Sequence, residues 1–165
     1  MKVFLSLFLF TSPYSLFSQS NFAKELDQII KDTSNHFQKF KGSDRGNSET
    51  ETFYYNSTII LEGTKENWVI IHRSICSYSA DIADSVTKNK GKQTLNDWKI
   101  KLISALGAEY KIEKNQGLGN QFIDGWKFSK DNFSVSLDLS QYFYGKSLYG
   151  VRLFISNVHP TPKGL

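Results

Sequence analysis

"FSVSLDL", Phe133 to Leu139, decides the fold. Phe133, Val135, Leu137 and Leu139 share one parity, and Ser134, Ser136 and Asp138 share the other. A period of two belongs to an extended strand with one face in a core and one in water. The neighbours on both sides read the same way. A strand is predicted over about Phe122 to Ser129. After a turn around Gly145-Lys146-Ser147 comes another, where Tyr149, Val151, Leu153 and Ile155 oppose Leu148, Arg152, Phe154 and Ser156. The C-terminal third is therefore a run of antiparallel strands.

Upstream of this run the period changes. Leu95, Trp98, Leu102 and Leu106 recur at helical spacing, with Ile103 beside them. Thr94 with Asp97 three residues on predicts the start of that helix, and Gly107 its end. Thr87 to Gln93, "TKNKGKQ", reads as a charged loop. Phe22, Leu26, Ile29, Thr33, Phe37 and Phe40 predict an earlier helix, closed by Gly42. Gly42 to Thr52 is polar and reads as a loop. Phe53 to Glu62 and Trp68 to Cys76 read as two strands, and Tyr78 to Val86 as a third, with a helical turn as its alternative. These elements predict a two-layer α+β sandwich. One twisted, mainly antiparallel sheet of about five to six strands would carry two helices on one face, in the order α-β-β-(β)-α-β-β-β.

The N-terminus follows a different logic. Lys2 precedes an apolar run from Val3 to Phe10, broken only by Ser6, and Ser15, Ser18 and Ser20 follow Pro13. Basic, apolar, then small is the order of a secretory signal, and the run is shorter than the ~20 residues a membrane helix needs. A signal peptide over residues 1–18 is expected, then a single α+β domain over 19–158 and a disordered tail over 159–165. The localisation that follows is outside the cytoplasm, periplasmic or extracellular.

Composition narrows the partners. The formal net charge is +4 over 165 residues, far short of a nucleic-acid footprint. The single cysteine, Cys76, allows no internal disulfide and reads as a small, core-like residue. Placed on one strand, His72 and Cys76 would stand about 13 Å apart, too far for a thiolate–imidazole pair. No spacing of His, Cys or carboxylates indicates a metal. Gly117-Leu118-Gly119 lacks the context of a phosphate loop, so no cofactor is indicated.

Aromatic residues are the unusual feature: 13 Phe, 8 Tyr and 3 Trp. Tyr142, Phe143, Tyr144 and Tyr149 crowd one turn, where successive side chains cannot all face inward. Such residues serve as anchors at interfaces, and these four are the candidate binding residues. The function expected is an exported, non-catalytic binding domain that engages a protein or envelope component. One alternative is an inhibitor or immunity-like protein acting on a secreted enzyme. Another is a small hydrolase using carboxylates such as Asp81, Asp84 or Asp124.

Overall fold

The computed structural model describes residues 20–48, 51–73, 75–117, 120–142 and 148–157. The expected signal peptide (1–18) and tail (159–165) lie outside the described residues. Helix α1 (Asn21–Lys31) leads through two short 3-10 turns (Thr33–Asn35 and Gln38–Phe40) to four strands, β1 (Lys41–Ser48), β2 (Thr52–Ser57), β3 (Glu66–His72) and β4 (Ile75–Val86). Helix α2 (Lys88–Leu106) then leads to four more: β5 (Lys111–Lys114), β6 (Phe122–Lys130), β7 (Phe133–Gln141) and β8 (Tyr149–Asn157). All eight pair antiparallel in one sheet, ordered β1-β2-β3-β4-β8-β7-β6-β5. Each half is thus a helix followed by a four-stranded meander, and the halves meet edge to edge along β4 and β8.

The α+β class holds, with two helices, but the sheet has eight strands and not the five to six expected, and the order is α-β-β-β-β-α-β-β-β-β in place of α-β-β-(β)-α-β-β-β. Segment 42–52, expected as a loop, supplies most of β1, which pairs with β2 through two register shifts. Its polar side chains belong to an edge strand whose backbone is held by the ladder. The short β5 was likewise unforeseen. Trp68 to Cys76 is two strands, because the chain turns at Arg73, a residue at φ 52°. His72 and Cys76 therefore lie on β3 and β4, where His72 pairs with Ile75 and Ile71 with Cys76. Tyr78 to Val86 is strand, as its alternation indicated.

Both helices differ at one end. Helix α1 stops at Lys31, short of the full apolar stripe. The carbonyl of Asp32 accepts from the amides of Asn35 and Phe37, and its buried carboxylate accepts from the amide of Lys39 at 3.1 Å. His36 and Phe37 then take left-handed conformations, which drop Phe37 and Phe40 into the core by another route. Helix α2 begins earlier than Thr94, because the Thr87 hydroxyl caps the amide of Lys90. Gly91 is buried in its first turns. A Cβ there would lie 2.6 Å from Leu139 Cδ1, so glycine sets how closely α2 approaches β7.

One core lies between the helices and the sheet. Leu95, Trp98, Leu102 and Leu106 of α2 pack with Leu137, Leu139, Val151, Leu153 and Ile155. Helix α1 contributes Phe22, Leu26 and Ile29, and Phe22 meets Trp98 edge-on at 5.5 Å. Tyr78 stands at the centre: its ring lies 6.4 Å from that of Phe37, and its hydroxyl donates to Asn67 Oδ1. Asn67 in turn accepts from the amide of Leu61 at 3.2 Å and from the Thr64 hydroxyl at 3.0 Å, tying the β2–β3 connection beneath the core. Burial pushes the Tyr78 pKa far above its ordinary value. Among the described residues no helix is long and apolar enough to cross a membrane. Tyr78→Phe should lower stability by about 1–2 kcal/mol, because it removes a buried bond to an amide that stays buried. Chemical denaturation of the two proteins measures the difference.

Candidate functional site

The helices cover one face of the sheet. On the other face the same alternation sets out a second group of side chains in rows that cross the strands. One row runs Asn56, Trp68, Ser79, Phe154, Ser136 and Lys127; the next runs Glu66, Asp81, Arg152, Asp138 and Gly125; a third runs Tyr54, Ile70, Ser77, Ser156, Ser134 and Ser129. Most of these residues are half-buried, and Ser79 and Ser134 are buried between their neighbours. Serine, aromatic and charged groups at alternate positions make a polar floor with apolar walls.

Among the described residues, three clefts indent this floor. One of about 350 Å³ is lined by Arg45, Asn47, Tyr54, Trp68, Ile70 and Arg152. A second, about 150 Å³, lies over Gln121, Asp138, Tyr142 and Arg152. The third, about 600 Å³, is a groove over Ser77, Asn115, Phe122, Ser136, Asp138 and Phe154. These sizes run from a pit for a single side chain to the range of small-ligand pockets.

Arg152 is the hub. Its Nε donates to Asp81 across the β4–β8 seam. Its guanidinium carbon lies 5.5 Å from the Trp68 ring centre and 5.9 Å from that of Phe154. Arg45 approaches Trp68 at 5.6 Å, and Glu66 accepts from its Nη1 at 3.2 Å. Arg152, held against two rings and a largely covered carboxylate, is restrained in orientation, whereas the Arg45–Glu66 pair is exposed.

Asp138 is placed differently. Its backbone pairs with Arg152, yet Arg152 turns to Asp81 and leaves Asp138 one amide donor, Asn115 Nδ2 at 2.6 Å. Burial raises its pKa, and the Asn115 bond only partly opposes the shift. Gly125 makes room for it, since a Cβ there would lie 2.7 Å from Asp138 Oδ1.

The four candidate binding residues separate. Tyr142 lies on the helix-free face, over Gly150, where a Cβ would stand 2.3 Å from its hydroxyl oxygen. Burial, and then the neighbouring Asp84 carboxylate, push the Tyr142 pKa up to about 12. Tyr149 points the opposite way and is buried among the helix-side core residues. Phe143 and Tyr144 lie outside the described residues. The three carboxylates considered for hydrolysis have different partners: Asp81 is paired with Arg152, Asp124 accepts from Lys114 at 2.6 Å, and Asp84 lies beside Tyr142. Among the described residues no three His, Cys, Asp or Glu side chains are grouped to hold a metal. Trp68, Phe154, Arg152 and Asp138 escaped the sequence reading as site residues, because polar positions alternating with apolar ones read as a solvated face. Comparison with protein-family models, with curated proteins and with solved structures finds no match to this chain.

The raised pKa of Asp138 has a definite sign in stability. In the unfolded chain the carboxyl titrates at its ordinary value, so between that value and the higher folded one the native state holds more protons. Native stability therefore falls as pH rises through this window, and the cost of the ionised form persists above it. Asp138→Asn keeps an acceptor for Asn115 and removes the charge. The variant should melt at least as high as the parent at neutral pH, with the difference shrinking in acid. Thermal melts of both proteins across a pH series test this. Cys76 is half-buried, and desolvation raises its thiol pKa. It should react slowly with thiol reagents in the native protein and fast after denaturation, which a labelling time course reads directly.

Proposed function

We propose that this chain is an exported, non-catalytic binding protein and that its working surface is the helix-free face of the sheet. The observation that carries this reading is the composition of that face. Trp68, Tyr54, Ile70, Phe122 and Phe154 stand half-buried or exposed among serines, arginines and aspartates, beneath no described helix. An ordinary solvated strand face carries flexible charged side chains. Here aromatic anchors surround fixed polar groups, as at the centre of recognition surfaces. The basic–apolar–small order of residues 1–20 supports export, and a protein or envelope component outside the cytoplasm is the partner class.

An inhibitor acting on a secreted enzyme is a special case of this reading, in which the bound protein is an enzyme and the face closes its active site. Capture from envelope and secreted fractions, followed by identification of what is retained, distinguishes it from a general binding module. Trp68→Ala and Phe154→Ala should each weaken retention of the captured partner at least about tenfold while costing less than about 2 kcal/mol of stability. Full retention by both variants would remove the face from consideration. Protein recovered from its native host should begin within a few residues of Gln19, and intact-mass measurement decides that point. A chain still carrying Met1 would end the export reading.

A further inference from the structure

Asp138 is a desolvated carboxylate with no cation paired to it among the described residues. The one side-chain donor to it among the described residues is the neutral amide of Asn115. The cation beside it in the ladder, Arg152, is drawn across the seam to Asp81, which also offsets its charge. Asp138 lines both the 150 Å³ cleft and the 600 Å³ groove. Phe122 and Phe154 border the groove. Ser136 and Ser140, two positions away on either side, line it with Asp138, about 7 Å from it along the strand. The complement of this arrangement is a group with positive charge, several N–H donors and a slim apolar stem. The charge meets Asp138, the donors reach the carboxylate and a serine hydroxyl, and the stem runs between rings that also attract cations.

We infer that the Asp138 pit binds a primary ammonium group carried on an unbranched aliphatic stem, and that its natural source is a lysine side chain of the protein held on the helix-free face. The inference rests on that reading of the face, and it adds which side chain of the partner the face selects. Arg152 sharpens the selection. A ligand carboxylate in the pit would meet Asp138, whereas an ammonium meets it with Arg152 already engaged by Asp81. A bulky cation such as tetramethylammonium has no N–H donors and does not satisfy the carboxylate or the hydroxyls.

The test uses 15N-labelled protein and n-butylammonium chloride, with n-butanol and tetramethylammonium chloride as controls and the tripeptide acetyl-Ala-Lys-Ala-amide as a second probe. Saturable shifts of the Asn115 side-chain amide and of the Ser136–Ser140 backbone amides are expected with n-butylammonium and with the tripeptide, and not with the controls. Asp138→Asn should weaken both at least about tenfold, since it removes the charge and keeps the shape. Because it also removes a desolvation cost, the variant should stay folded, and its own amide spectrum verifies this. Phe154→Leu should weaken binding several-fold as an independent check. Tighter binding of the tripeptide than of n-butylammonium supports a protein-borne lysine, and tighter binding of n-butylammonium overturns that source in favour of a free amine. Absence of saturable shifts with either probe, or equal binding by Asp138→Asn, overturns the site. Those results would leave the partner-retention experiment with Trp68 and Phe154 variants untouched, so failure of the pit and failure of the face are read separately.

Discussion

The antiparallel seam between β4 and β8 is the constraint on which the rest depends. Each four-stranded meander ends in a strand, β4 or β8, whose apolar face continues into the other half. Joined along the seam, they present one continuous surface, with Tyr78 opposite Ile155 and Ala80 opposite Leu153. Helix α2 spans the join and touches β4, β6, β7 and β8, so its stripe of Leu95, Trp98 and Leu102 covers both halves. Helix α1 then packs on α2, and Glu62 fastens the pair. Its carboxylate accepts from the amide of Phe22 at 2.9 Å, and its carbonyl accepts from Lys101 Nζ at 3.0 Å. Loss of the seam would leave two half-cores, each burying a smaller share of its surface than the joined sheet.

The same seam organises the opposite face. With both helices on one side, alternation hands every second residue to a surface the core does not need. At the centre of that surface the Asp81–Arg152 pair crosses from β4 to β8, joining the halves a second time through side chains. Arg152 is 39% exposed and Asp81 15%, so the pair sits partly out of water, and its value lies more in fixing geometry than in net stability. The strain of the arrangement falls on Asp138. A desolvated carboxylate with no counter-ion among the described residues lowers stability, and perturbed groups of this kind cluster at functional clefts.

Legibility in the sequence follows how each element is held. Strands β6, β7 and β8 are fixed by burial of one face, so alternation marked them well. Strand β1, "KGSDRGNS", is fixed by its ladder with β2 and carries no pattern to read. The β3–β4 hairpin hid because its turn holds Arg73, where a glycine or proline would have advertised it. Thr94 looked like a cap, but Thr87 begins α2 one and a half to two turns earlier, where Gly91 permits close packing on Leu139. On the helix-free face, Tyr142 was legible as a surplus aromatic. Arg152, Trp68 and Asp138 become a cluster only through strand register, and no local window contains register.

The edges of the sheet narrow how a partner can bind. Adding a strand to an exposed edge is a common mode of recognition, and it needs a flat, regular ladder. Here β1 is interrupted by two register shifts, with Gly46 at φ 103° and Asp44 and Arg45 beside it. The opposite edge, β5, is four residues long, three of them charged: Lys111, Glu113 and Lys114. Short, charged and bulged strands are how sheets avoid edge pairing. Both edges are thus poor templates, while the helix-free face between them holds clefts, fixed arginines and aromatic walls. On the proposed reading, a partner meets side chains across the strands, not backbone along an edge. Its specificity should respond to substitutions at Trp68, Asp138, Arg152 and Phe154 more than to any change along β1 or β5.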